Sequence, residues 1–501
     1  MAGYDFIVVG AGSAGCAVAG RLASDSSSTV LLIEAGGTDR RFTIRAPLAF
    51  ALQFGSSLDW AYESEPEPGC AGRRIKLPRG RALGGTSGMN AMIWVKGSNL
   101  DYDGWRVPGW SWANVAPVFA RMERRMHVAR LQDPDELSSL FVTSARAAGV
   151  PANDDVSGPE LEGAAISFVT IDRGQRWNTA RGYLDHQKNL TVVTKAHVQR
   201  VVLQHGRAVA VQYRHRGRVE TAFAEHEIVV SAGAYGTPAL LQLSGIGAAD
   251  HLRSVGITPL VDIPRVGIGL TDHPHVFATW SLAPGRVGLT DAVNPKHVAR
   301  WLLTRRGKWA SNLLEAVAHV RSTPEQLACD IQLTFAPDDL GTKTLRPKPT
   351  MTVASSYWTP ASRGSVLIHS SDPTTPPAIC TNMLTERGDV DALVEAVRRS
   401  RAIIATEPIA SAVERELVPG AGRDIEAVIR ETAITASHPG CTVAMGTDPD
   451  SPLDEKLRVR GVQALRVADA SALPVLPRAN TNAPSIMIGE RCADFVLSDA
   501  R

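Results

Sequence analysis

Gly10, Gly12 and Gly15 form a G-x-G-x-x-G turn between an apolar, β-branched run at residues 4–9 and a small-residue helical pattern reaching about Ser24. No other feature of the sequence narrows the fold as far. The first glycine permits the tight turn and the second lets backbone amides approach a pyrophosphate. The third lets helix and strand pack closely. The helix N-terminus, at Ser13 and Ala14, adds unpaired N–H groups and a partial positive charge. A second apolar run, Val30-Leu-Leu-Ile33, ends in Glu34-Ala35, with Glu34 19 residues beyond Gly15. There a carboxylate can accept hydrogen bonds from both ribose hydroxyls. Strand, turn, helix and strand make a right-handed βαβ unit that opens a parallel sheet. The unit predicts dinucleotide binding, and it does not by itself choose between FAD and NAD.

The chain is 501 residues long, which predicts two domains. Residues 38–90 are rich in Pro, Gly and Arg and read as an extended excursion, followed by a helix near 112–126. Short strands begin at Leu190. The stretch 276–435 alternates short strands with two helices, one of them over 389–405. A strand at 465–469 and a helix over 483–498 close the chain. This order predicts a discontinuous cofactor domain (1–155, 190–275 and 436–501) and a substrate domain (156–189 and 276–435).

With 53 basic against 51 acidic residues, the net charge of +2 speaks against a nucleic-acid partner. No run approaches the ~20 apolar residues of a membrane span. The N-terminus lacks a basic leader with a cleavable apolar segment, so a cytoplasmic location is expected. Six cysteines are scattered singly and read as reduced thiols.

Four further segments choose the cofactor. They are Arg81-Ala-Leu-Gly-Gly-Thr-Ser-Gly-Met-Asn90, the run from Ser231-Ala-Gly233 to Gly247, His438-Pro-Gly-Cys-Thr-Val-Ala-Met-Gly446, and Arg466-Val-Ala-Asp-Ala-Ser471 with Asn480-Thr-Asn-Ala-Pro484 and onward to Arg491. Together with the N-terminal unit, in this order and spacing, they resemble the glucose–methanol–choline (GMC) oxidoreductases, FAD-dependent alcohol oxidases and dehydrogenases. The resemblance spans the whole chain and is weakest over about 276–435. It implies an α/β fold: a doubly wound, Rossmann-like FAD domain built from discontinuous segments, and an α+β substrate domain on a mainly antiparallel sheet.

The resemblance also assigns residues. Beyond the glycine turn and Glu34-Ala35, a second flavin anchor is implied at Arg81, Gly84, Gly85, Thr86, Ser87, Met89, Asn90, Ala91 and Met92. Val198 matches the position whose backbone meets the adenine. Ala232, Gly233, Asp469 and Ala470 fall near the pyrophosphate and ribityl chain, and Asn480, Thr481 and Asn482 near the flavin ring. Some relatives bond the flavin covalently to a histidine just before the anchor asparagine. Met89 stands there and has no nucleophilic nitrogen, so dissociable FAD is expected. Two motifs depart from the family pattern. His-Pro-Val-Gly-Thr becomes His438-Pro-Gly-Cys-Thr442, and the usual Gly-x-Asn-Leu becomes Gly267-Ile-Gly-Leu270.

Oxidising an alcohol needs a base for the hydroxyl proton and an acceptor for the α-hydride, here the flavin N5. Histidine suits the base, with a reference pKa of about 6.5. His438 matches the family's active-site histidine and Asn480 its second member. His438 is assigned as general base or alkoxide stabiliser and Asn480 as the partner that orients the substrate oxygen; asparagine is no base, so the proton-accepting burden falls on His438. Glu315 resembles a glutamate near the pocket of choline-oxidising relatives, and Trp94 is a candidate pocket wall; each also reads as ordinary structure. The pair His273 and His275 lacks a placed third ligand, and no metal site is expected. The implied partners are a small alcohol and an electron acceptor, oxygen or a quinone or other carrier. The alcohol and the oligomeric state are not encoded legibly. A lyase that keeps FAD structurally is the alternative.

Overall fold

The first strand, Gly3–Val9, is buried from Phe6 onward because it is flanked on both sides by parallel neighbours. Val30–Ile33 pairs with it on one side and the C-terminal half of Arg218–Val230 on the other. Leu190–Val193 extends the parallel sheet beyond Val30–Ile33. Leu465–Val467 pairs in parallel with the end of the long strand, Ile228 facing Leu465 and Val230 facing Val467. The N-terminal half of Arg218–Val230 instead folds back on Arg207–His215 and Ala196–Gln204 as antiparallel hairpins. Both hairpin turns, His205-Gly206 and Arg216-Gly217, have positive φ at both central residues. Such turns match the right-handed strand twist. The computed structural model describes residues 3–24, 28–185, 187–339 and 349–499.

Two helices lie side by side on this sheet. Ser13–Ala23 and the C-terminal Asn482–Asp499 approach so closely that a Cβ on Gly489 would lie 2.5 Å from the Ala14 carbonyl oxygen. Glycine there sets the helix separation. Buried Glu490 ties the pair together, accepting from Arg21, Arg121 and the Tyr183 hydroxyl.

The second sheet runs Val413–Val418, Pro274–Leu282, Thr350–Tyr357, Ile331–Ala336, Ala316–Val320 and Gly163–Ile166, antiparallel throughout. Strand alternation sorts its two faces. Ile331, Leu333 and Phe335 pack with Met351 and Val353 against the helices Glu136–Ala147 and Arg387–Ile404. The opposite face carries a polar row, since cross-strand pairing sets His319 beside Gln332, Gln332 beside Ser356, and Ser356 beside His275. This face turns toward the cofactor domain, where Gln332 meets Asn480.

The α/β cofactor fold and the mainly antiparallel second sheet agree with the sequence reading. Among the described residues of 276–435, three helices of eight residues or more occur, rather than two: Pro295–Thr304, Arg387–Ile404 and Ile425–Thr432. The first is capped by the Asn294 side chain with Pro295 behind it. Its apolar stripe, Ala299, Leu302 and Leu303, faces water. Glu136–Ala147 packs on the second sheet, although it precedes residue 155. Thr179–Tyr183 packs on the first helix, a Cβ on Gly20 meeting the Tyr183 carbonyl at 2.4 Å.

Candidate active site

Two loops form a cradle at the ends of the parallel strands. Gly10 has φ +94°, and a Cβ there would lie 2.5 Å from the Ser231 carbonyl oxygen. At Gly15 a Cβ would sit 1.9 Å from the Gly10 carbonyl oxygen, so the helix could not approach its strand. Gly12 differs, since a Cβ there would meet nothing within 4 Å. The open side is where the first helix begins without a side-chain cap. Ser13 Oγ donates to Asn482 Oδ1 at 2.8 Å, so the N-termini of both long helices converge. The start of the first helix, uncapped by any side chain, and the start of the last helix converge on one open space that fits a diphosphate.

The other expected cofactor residues gather around this cradle. Glu34 is buried, its two carboxylate oxygens accepting from the Ala11 and Gly36 amides at 2.9 and 2.7 Å. Gly36, beside Ala35, lies against the Arg81 carbonyl. A Cβ on Gly85 would lie 2.6 Å from Gly12 Cα, which places the second anchor loop directly on the first. Within that loop Thr86 Oγ1 accepts from Gly80 N, Ser87 Oγ donates to Gly84 O, and Met89 is buried. Asn90 Oδ1 accepts from Met92 N, while Asn312 donates to the Ala91 carbonyl. Asp469 accepts from Gly233 N, next to Ala232, and from Thr237 Oγ1 and Ser471 N. Ala470 accepts from Cys441 N, Thr481 from Ser485 in the first turn of the last helix, and Val198 lies on Ala196–Gln204.

His438 and Asn480, 42 residues apart in sequence, come together, with His438 Nε2 and Asn480 Nδ2 3.2 Å apart. The surrounding bonds assign the protons. His319 Nδ1 faces the Leu161 carbonyl at 3.2 Å, an obligate acceptor, so Nδ1 carries the hydrogen and Nε2 the lone pair. Gln332 Nε2 donates to that lone pair at 3.2 Å and to Asn480 Oδ1 at 3.4 Å. The Asn480 amide is thereby oriented with Nδ2 toward His438. His438 Nε2 must accept, so the proton sits on Nδ1, which donates to His273 Nδ1 at 3.1 Å. His438 thus presents an unprotonated Nε2.

Electrostatics favour that neutral state. Burial, followed by the charges of His273, Arg79 and His275, holds His438 well below 6.5. Burial also holds His273 at about 3 and His275 at about 4. The backbone of His438 is fixed by Asp272 Oδ1, 2.8 Å from its amide, and Arg79 Nη2 donates to the Ser437 carbonyl at 2.7 Å. Burial raises Asp272 to about 7, against the pull of Arg79. The altered His438-Pro-Gly-Cys-Thr442 segment places Cys441 at φ +68°. Gly440 is crowded instead, a Cβ there lying 2.6 Å from Leu476 Cδ2. The left-handed residue is therefore not the glycine, a strain of roughly 1–3 kcal/mol.

Glu315 is buried, with Oε1 accepting from Ser311 Oγ and Oε2 from Asp135 N and Ser138 Oγ. It ties the 311–315 loop to a helix start. Trp94 sits in the cofactor-domain core with its indole directed to Glu123. Among the described residues no group of three or more His, Cys, Asp or Glu is arranged for a metal ion, and the six cysteines are free thiols.

Four residues of the site were not singled out for it by the sequence. His273 stood out only as half of a histidine pair. His319 and Gln332 are polar positions in apolar strands, a period-two signal whose partners are invisible without the sheet register. Arg176 is fully buried and donates to Ile44 O, Ser87 O and Asn90 Oδ1, at 2.9, 3.2 and 2.8 Å. Burial lowers its pKa to about 9, and it clamps the second anchor loop from behind.

Comparisons with known proteins show the family and the fold. Two family models, both described as GMC oxidoreductase, match residues 4–275 and 360–489. An oxygen-dependent choline dehydrogenase of Paraburkholderia xenovorans is 37% identical over 98% of this chain and 94% of its own. An alcohol dehydrogenase [acceptor] of Pseudomonas putida is 35% identical over 99% and 96%. Among solved structures, an Aspergillus oryzae formate oxidase, described in terms of FAD modification, superposes with a TM-score of 0.94 at 27% identity. That match covers 99% of this chain and 98% of the other.

Proposed function

The chain belongs to the GMC oxidoreductase family, and we propose that it is an FAD-dependent enzyme oxidising an alcohol to an aldehyde or ketone, with His438 as base. The observation that carries this reading is the unprotonated His438 Nε2 facing the Asn480 amide at 3.2 Å. Bound FAD supplies the hydride acceptor. The protein's own share is proton handling and orientation. A substrate hydroxyl inserting between His438 Nε2 and Asn480 Nδ2 takes over both ends of their hydrogen bond, its proton meeting the Nε2 lone pair and its oxygen accepting the Asn480 N–H. Once protonated, the His438 ring keeps its orientation through Nδ1 and His273. Gln332 and His319 hold the Asn480 amide against flipping. The start of the last helix, close to Asn480, adds positive potential on the same side.

The test is anaerobic mixing of the holoenzyme with a panel of alcohols, choline and short aliphatic and aryl alcohols among them, while following flavin absorbance. Bleaching by at least one alcohol is expected, and readmitting air then separates oxygen from another acceptor. FAD that dithionite reduces and no alcohol does would refute the reading and favour a lyase.

Attachment of FAD is proposed to be non-covalent, because Met89 offers a thioether in place of a nucleophilic nitrogen. Acid precipitation is expected to leave the yellow colour in the supernatant. A yellow pellet would show a covalent link formed elsewhere.

A further inference from the structure

Fourteen large apolar side chains are exposed among the described residues, and six of them crowd into two segments, 38–54 and 289–310. They are Phe42, Leu52, Phe54, Val293, Leu302 and Leu303. The segments form one surface. The Phe42 ring lies 5.6 Å from both Trp301 and Trp309, and Ala46, Ala49 and Trp301 share a small buried cluster. The helix Pro295–Thr304 buries Trp301 but turns Ala299, Leu302 and Leu303 outward at helical spacing, with Leu303 86% exposed. A helix in a monomer's coat normally buries such a stripe.

Charge says what covers it. The two segments hold eight Lys and Arg against two Asp, a net +6 in a chain whose total is +2. Asp39 is buried and Asp291 is engaged by Lys308 and His297. Arg40, Arg41, Lys296, Arg300 and Arg306 take part in no ion pair among the described residues and are exposed. Apolar side chains rimmed by unpaired cations are the composition of an interfacial membrane contact. A two-fold contact with a second copy would set this cationic rim against itself.

We propose that this face docks the protein on an anionic lipid bilayer, the apolar side chains entering the interface and the rim meeting lipid phosphates. No helix of the described residues is long and apolar enough to cross a membrane, so the contact is peripheral.

Flotation of the holoenzyme with vesicles tests this. Phosphatidylcholine vesicles containing phosphatidylglycerol are expected to carry the protein, and phosphatidylcholine alone about tenfold less or worse. About 1 M salt, which cuts the screening length to ~3 Å, is expected to release it. Leu302→Ser with Leu303→Ser is expected to weaken vesicle binding about 10–100-fold at unchanged thermal stability, both side chains being exposed. Leu327→Ser, equally exposed but outside the face at 84%, serves as the control and leaves binding intact. Lys296→Gln with Arg300→Gln is expected to erase the preference for phosphatidylglycerol. Equal behaviour with both vesicle types, or insensitivity to the double serine variant, would overturn the proposal. So would a dimer in sedimentation that the serine variant dissolves, since the face would then be covered by a second copy.

Discussion

Flavin reduction by the substrate alcohol is expected to fall about 10²–10⁴-fold in His438→Ala, the usual contribution of a general base, while FAD remains bound. The expectation rests on one nitrogen. Nε2 is the basic atom, Asn480 cannot replace it, and His273 and His275 are engaged with His438 Nδ1 and Ser356 Oγ. Anaerobic stopped-flow reduction measures the effect apart from reoxidation. Reduction at the wild-type rate would remove His438 from the base role. The pH profile adds a second constraint. Because burial and the neighbouring Arg79 hold His438 well below 6.5, the neutral, proton-accepting form persists as pH falls through the ordinary histidine range. Wild-type reduction is therefore expected to hold level from about pH 8 to about pH 6. A loss centred near 6.5 would mean that substrate binding reopens the histidine to water.

Local sequence carried the glycine turn and Glu34, because each works through backbone freedom or a side chain at a fixed distance from its own strand. The orientation of the Asn480 amide toward His438 is of another kind, because it depends on the second sheet presenting Gln332 to the asparagine. Alternation in Ile331–Ala336 reveals that Gln332 faces away from Leu333 and Phe335, yet not that His319 stands beside it. That neighbour is fixed by strand register alone. Arg176 was invisible for a related reason: a buried arginine held by carbonyl oxygens and an asparagine, with no carboxylate among its described hydrogen bonds, leaves no charge pattern to search for.

The two inner glycines of the first turn are expected to fail differently when given a side chain. At Gly12 the backbone is extended, φ −79°, and a Cβ meets nothing within 4 Å. Gly12→Val should therefore leave the apoprotein folded with unchanged thermal stability. What its branches occupy is the open space at the converging helix starts. If that space belongs to the diphosphate, FAD affinity falls by about 10–100-fold or more, from an overlap of roughly 1–3 kcal/mol. At Gly15 a Cβ lies 1.9 Å from the Gly10 carbonyl oxygen and 3.1 Å from Ser231 Cβ, both part of the protein itself. Gly15→Val must push the first helix off the sheet, so thermal stability and FAD binding are lost together. FAD titration by fluorescence and thermal unfolding of the apoproteins separate the two cases. A Gly12→Val protein that binds FAD as tightly as the wild type would show that the diphosphate lies elsewhere, and a Gly12→Val protein that fails to fold would show that the space is structural. The contrast tells a glycine that leaves room for a ligand from one that leaves room for the fold, a distinction the motif cannot make because both positions are written with the same letter.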